Sequence, residues 1–161
     1  MVSNYHKNIQ KATLEFGKYN PKKYYQVYTG DQKPIHIPSP MKKHREIIYK
    51  PDVIFKTKNR QIYIFEILDG QLRNTGEVIA DVIESLMTPD ISKLFFVVPT
   101  EDDKIIDNLI EISEVIIDTL DTVGFRNYPI FVQVISIIRE KSRSIKSIKK
   151  ILQKYSKNSK W

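Results

Sequence analysis

Two acids stand out by their surroundings. Asp52, preceded by Pro51, lies inside the apolar run Ile47 to Phe55 (IIYKPDVIF), and Glu66 lies near the end of a second run, Gln61 to Leu68 (QIYIFEIL). Glu66 is fourteen positions after Asp52 in the chain. A carboxylate between apolar neighbours in a strand loses hydration unless something pairs with it. Side chains alternate along a strand, so Ile64, Glu66 and Leu68 share one face while Tyr63, Phe65 and Ile67 share the other. The polar link Lys56 to Arg60 is short enough for an antiparallel hairpin. Directly opposed Cβ atoms in such a ladder lie about 4.5–5.5 Å apart, so the two carboxylates can meet, and unpaired they repel. A divalent cation between them removes the repulsion, and hard oxygen donors suit Mg²⁺ or Mn²⁺. A Pro-Asp dipeptide alone is more often a turn. Its weight here comes from Glu66 in a second apolar strand, and from the helix and buried strand that come after that glutamate in the chain.

The elements that would position this pair can be read from periodicity. Asn4 to Phe16 is an amphipathic helix, ended by Gly17 and Asn20-Pro21. Tyr24 to Tyr28 is a short strand, and Gly30 to Pro40, with its three prolines, reads as a loop. After the hairpin, Val78, Ile79, Val82, Ile83 and Leu86 mark a helix over Thr75 to Met87, and Lys93 to Val98 is a buried strand. A second helix runs from Glu101 to Leu120, with Thr100 as its expected N-cap. A strand over Ile130 to Ile138 and a basic amphipathic helix over Glu140 to Tyr155 complete the chain. Strands interleaved with helices predict an α/β layer structure with a mixed sheet.

Pro51-Asp52, a turn, then apolar-Glu66-Ile67-Leu68 resembles the PD-(D/E)xK nuclease superfamily, the restriction-endonuclease-like fold. The element order of that core, a helix, three strands, a helix and a strand, is similar to the one read here from Asn4 to Val98. The resemblance implies one α/β domain: a restriction-endonuclease-like core with a central mixed sheet flanked by helices, plus a C-terminal helix-strand-helix extension. Residues 1–138 would form the nuclease-like part, and 139–161 a basic helix packed on it. It implies metal ligation by Asp52, Glu66 and the Ile67 backbone carbonyl, hydrolysis of phosphodiester bonds in DNA rather than RNA, and a homodimer.

The superfamily has lysine two positions after the glutamate, where this chain has Leu68. Three readings stay open. Another lysine replaces it: Lys50 and Lys56 share strand parity with Asp52, and Lys93 begins the next strand. Gln71, just past Asp69-Gly70, reaches back as a polar substitute. Or catalysis is lost, and the fold only binds nucleic acid or a partner.

Other polar residues have plainer accounts. Glu77, Asp81 and Glu84 read as a solvated acidic face, with help to a second cation as the alternative, and Glu15 as a surface residue or an auxiliary ligand. His6, His36 and His44 read as structural or exposed, because none has a partner at metal-ligand spacing. Lys18-Tyr19 and Lys22-Lys23-Tyr24-Tyr25 could stack bases or simply form an exposed strand.

The formal net charge is +7 and is concentrated. Residues 139–161 hold nine Lys or Arg against Glu140 alone, so the rest of the chain is nearly neutral. Such a run points to a polyanion. Lys141, Arg143, Lys146, Lys149, Lys150 and Lys154 are the expected nucleic-acid contacts, gripping phosphates without reading sequence. A membrane-surface helix or a protein-binding helix is the rival. With no cysteine, thiolate metal sites, thiol nucleophiles and disulfides are excluded. No run approaches the ~18–20 apolar residues of a transmembrane helix, and the expected setting is soluble and intracellular.

Overall fold

The computed structural model describes residues 2–38, 46–69, 75–124 and 130–161. The elements in order are α1 (Asn4–Lys18), β1 (Tyr24–Tyr28), β2 (Ile35–Pro38), β3 (Glu46–Tyr49), β4 (Val53–Thr57), β5 (Ile62–Ile67), α2 (Thr75–Met87), β6 (Ile91–Val98), α3 (Asp103–Thr122), β7 (Phe131–Ser136), a 3₁₀ segment (Arg139–Arg143) and α4 (Ile145–Asn158). The architecture is α/β: a five-stranded mixed sheet in the order β1-β4-β5-β6-β7, flanked by helices. β4 runs antiparallel to β1 and β5, while β5, β6 and β7 are parallel. β2 and β3 form a separate antiparallel ribbon.

Strand alternation sorts the core into two layers. Val53, Phe55, Phe65, Ile67, Phe95 and Val97 pack with α1 and α4 on one face of the sheet. Ile64, Leu68, Leu94, Phe96 and Val98 pack with α2 and α3 on the other. α1 enters this arrangement through Ser3, whose hydroxyl accepts the His6 N–H as an N-cap, and it buries Tyr5, Ile9, Ala12 and Phe16 at helical spacing. α4 starts at an N-cap Ser144 and inserts Ile148 and Leu152 into the same core.

Four local expectations change. The run Ile47 to Phe55 is two strands, not one: β3 and β4 are separated by Lys50–Asp52, where Pro51 has no N–H to give a ladder. The loop expected over Gly30 to Pro40 contains β2, because Ile35 and Ile37 pair with Tyr49 and Ile47 of β3. The N-cap of α3 is Asp102, whose side chain accepts the Lys104 N–H, and Thr100 instead accepts the Asp102 N–H. The C-terminal helix is divided at Ser144 into the 3₁₀ segment and α4. Among the described residues no helix is long and apolar enough to cross a membrane.

Candidate active site

An antiparallel hairpin sets the start of one strand beside the end of the next. Asp52, just before β4, therefore lies against the end of β5, where Glu66 sits. The approach of Asp52 is fixed from behind. The Gly30 N–H donates to the Pro51 carbonyl at 2.8 Å, and a Cβ on Gly30 would stand 2.4 Å from that same oxygen. Only glycine lets the chain after β1 come this close to the Lys50–Pro51 bend.

Asp52 is then held from three sides. Its Oδ2 accepts the Ile67 N–H at 2.7 Å, its Oδ1 meets His6 Nε2 at 2.8 Å, and its backbone carbonyl accepts from Gln10 Nε2 at 3.0 Å. His6 and Gln10 are one turn apart on α1, so a single helix face grips the bend. The hydrogen bond to Asp52 is the main reason the His6 imidazole pKa lies above its ordinary value, against the opposing effect of burial.

Glu66 points to the α2 side of the sheet and is only 7% exposed. Its Oε1 accepts from Tyr49 OH at 2.5 Å, and that hydroxyl also meets Ser85 Oγ of α2 at 2.9 Å. Burial raises the Glu66 pKa well above the carboxylate range, and the charges of Asp81 and Asp52 raise it further. Across the hairpin the two acids occupy facing positions, since Val53 pairs with Phe65. Burial, then the neighbouring Glu84, Asp52 and Glu77, lift Asp81 on α2 to about 7.

These groups line one cavity of about 410 Å³, with Ser3, His6, Asp52, Glu66, Asp69, Glu77 and Asp81 supplying its polar wall. At its rim Asp69 takes Arg139 Nη2 at 2.6 Å and the Ser3 hydroxyl. No lysine or arginine is among the described lining residues. Lys50 is exposed and outside the lining. Lys56 lies at the far end of β4, near the Tyr28 ring. Lys93 stands over Tyr63 and Phe131, three positions before the Phe96 that pairs with Glu66. Leu68 is 3% exposed in the α2-side core. Gln71 and His44 lie outside the described residues. Glu15 pairs with Lys149 at 3.2 Å instead of facing the cavity, and His36 pairs with Glu46 in the β2–β3 ribbon.

The basic C-terminal residues divide between two surfaces. Lys146, Lys149 and Lys150 line a groove against the C-terminal end of α1, while Lys141 and Lys154 line a hollow beside Ser136 and Glu101. Arg143 is exposed.

The pairing of Asp52 with Glu66 follows from the hairpin signal, but the roles of His6, Tyr49, Asp69 and Ser85 do not. Each meets the site through a contact across the fold, and none has a local spacing that marks it. Asp81 did carry a signal, as part of an acidic helix face that read as solvated.

Among the described residues no group of three or more His, Asp or Glu is placed to hold a metal ion. Mg²⁺ does not need such a group, since it keeps several waters and is commonly bound through one or two carboxylates. Asp52 and Glu66, two carboxyl groups at facing positions in the wall of one cavity, fit that mode. The chain matches no family model, no curated protein and no solved structure.

Proposed function

We propose that this chain is a divalent-metal-dependent nuclease with a restriction-endonuclease-like core, hydrolysing phosphodiester bonds in DNA. One observation carries the reading. Two acids at facing positions of one hairpin stand together in the wall of a solvent-open cavity, and burial with the charges of Asp81 and Asp52 leaves Glu66 poorly suited to its own charge.

Asp52, Glu66 and the Ile67 carbonyl would hold Mg²⁺ or Mn²⁺, with water on the remaining positions. Bound there, the cation would lower the pKa of a coordinated water and offset charge on the scissile phosphate. The chain's own groups fix the donors in place. The Ile67 N–H and His6 orient Asp52, and the Tyr49 hydroxyl, itself held to Ser85, orients Glu66. The role of the superfamily lysine would fall to the charge of His6, to Lys50 on the bend beside Asp52, or to Gln71 as a neutral hydrogen-bond donor. The basic C-terminal segment would hold the phosphate backbone, and the superfamily's habit of pairing to cut both strands extends the proposal to a homodimer.

The test is incubation of purified protein with plasmid, linear and branched DNA in Mg²⁺, Mn²⁺ or chelator. Cleavage in metal should fall by at least about a hundred-fold in Asp52→Ala and Glu66→Ala, with DNA binding retained. The buried Leu68 favours a second reading, a nucleic-acid-binding protein without catalysis. Binding without cleavage in either divalent metal would select it.

A further inference from the structure

The face of the molecule carrying α1 and α4 has a second concavity, of about 560 Å³, at the end of α1 remote from Asp52. Its cationic wall is Lys23, Lys146, Lys149, Lys150 and Lys157, and no carboxylate is among its described lining residues. Outside that lining, Glu15 pairs with Lys149 at 3.2 Å. Tyr19 stands at its rim, 75% exposed, with Lys149 Nζ 5.1 Å from the centre of its ring. Five lysines around one concavity gather like charge that an anion would relieve.

We propose that this groove binds single-stranded nucleic acid, the lysines taking phosphates and Tyr19 stacking on an unpaired base. The chemistry is that of single-strand binders, in which a cationic groove follows the backbone and exposed aromatic rings accept base faces. A duplex hides those faces and leaves Tyr19 nothing to stack on. An anionic membrane is the weaker match. A helix that enters a bilayer needs a free apolar side, and the apolar side of α4 is spent on the core, with Ile148 and Leu152 fully buried. The proposal rests on the nuclease reading only in naming a substrate form and a geometry for it. From His6 to Tyr19, α1 rises about 20 Å, so a strand gripped in the groove must cover that distance to reach the acids.

The test measures binding of a labelled ~12-nucleotide strand, a duplex of the same length, and vesicles of anionic lipid, all in chelator across a salt series. Working without metal makes the result independent of whether Asp52 and Glu66 support cleavage. Absence of cleavage with intact strand binding would count against the nuclease and not against the groove. The double variant Lys146→Ala/Lys150→Ala should weaken strand binding at least ten-fold and flatten the logarithmic salt slope by about 1.4. Tyr19→Ala should weaken the strand about ten-fold and leave the duplex within two-fold. A charge control, Lys33→Ala/Lys104→Ala, removes two exposed cations elsewhere and should stay within two-fold of the parent. Equal losses in the groove and control pairs, equal loss of strand and duplex in Tyr19→Ala, or binding to vesicles but not to the strand would each overturn the proposal.

Discussion

Glu66 is where burial and charge conflict most directly. Its carboxyl is enclosed by the α2-side core and faces Asp52 and Asp81, with the Tyr49 hydroxyl in its favour. Glu66→Gln keeps the shape of the protonated acid and removes the conflict. It is expected to abolish cleavage while leaving the melting temperature in chelator unchanged or higher at pH 8, which calorimetry would show. The pH dependence has a definite sign. Glu66 and Asp81 keep their protons in the folded chain above the pH at which the unfolded chain releases them, so their contribution to stability falls as pH rises, for Asp81 through about 7. His6 acts in the same sense: its raised pKa gives stability that is full below the ordinary imidazole value and is lost as pH climbs through the raised one. Melting in chelator should therefore drop between pH 5 and pH 8, Mg²⁺ or Mn²⁺ should reduce the drop, and Asp81→Asn should recover about 1–2 kcal/mol at pH 8, a figure discounted for the solvent still reaching that group. A flat profile would show that the acids are compensated in some other way.

At the scale of elements, the site depends on a bend that interrupts an apolar run. Gly30→Ala places a methyl against the Pro51 carbonyl and should cost about 1–3 kcal/mol in urea unfolding. It should also reduce cleavage, because the same bend carries Asp52 to β5. The sequence was readable where burial imposes a period. α2, α3, β5 and β6 appear within a few residues of their observed limits, and the parity argument placed Ile64, Glu66 and Leu68 on one face, which the structure turns toward α2. It was unreadable where a distant contact decides. Apolar residues on both sides of Lys50-Pro51 continue one pattern, yet the missing proline N–H divides it, and Ile35 and Ile37 look like loop residues until β3 is there to pair with them. His6 looks idle in a polar helix start, and only the folded chain brings it onto a carboxylate forty-six positions away.

For the whole molecule, the C-terminal segment is structural as well as charged. Trp161 is 4% exposed, packs 4.4 Å from the Phe95 ring centre and donates through Nε1 to Gln133 at 2.9 Å. Trp161→Ala should cost about 3–5 kcal/mol, measured by circular dichroism on denaturant titration. Removing residues 139–161 would strip Ile148, Leu152 and Trp161 from the core and is expected to unfold the domain rather than only silence a binding surface. Point substitutions at the exposed lysines are the sound probes of that surface.

One helix serves both ends of the molecule, since α1 clamps the Asp52 bend with His6 and Gln10 and borders the lysine groove with Phe16 and Tyr19. Any coupling between two ligands bound at opposite ends of one helix must be reciprocal. Whatever factor an oligonucleotide imposes on Mn²⁺ affinity, Mn²⁺ must return on the oligonucleotide. Paired titrations, each run with and without the other ligand, would reveal whether α1 transmits that factor or leaves the two ends independent.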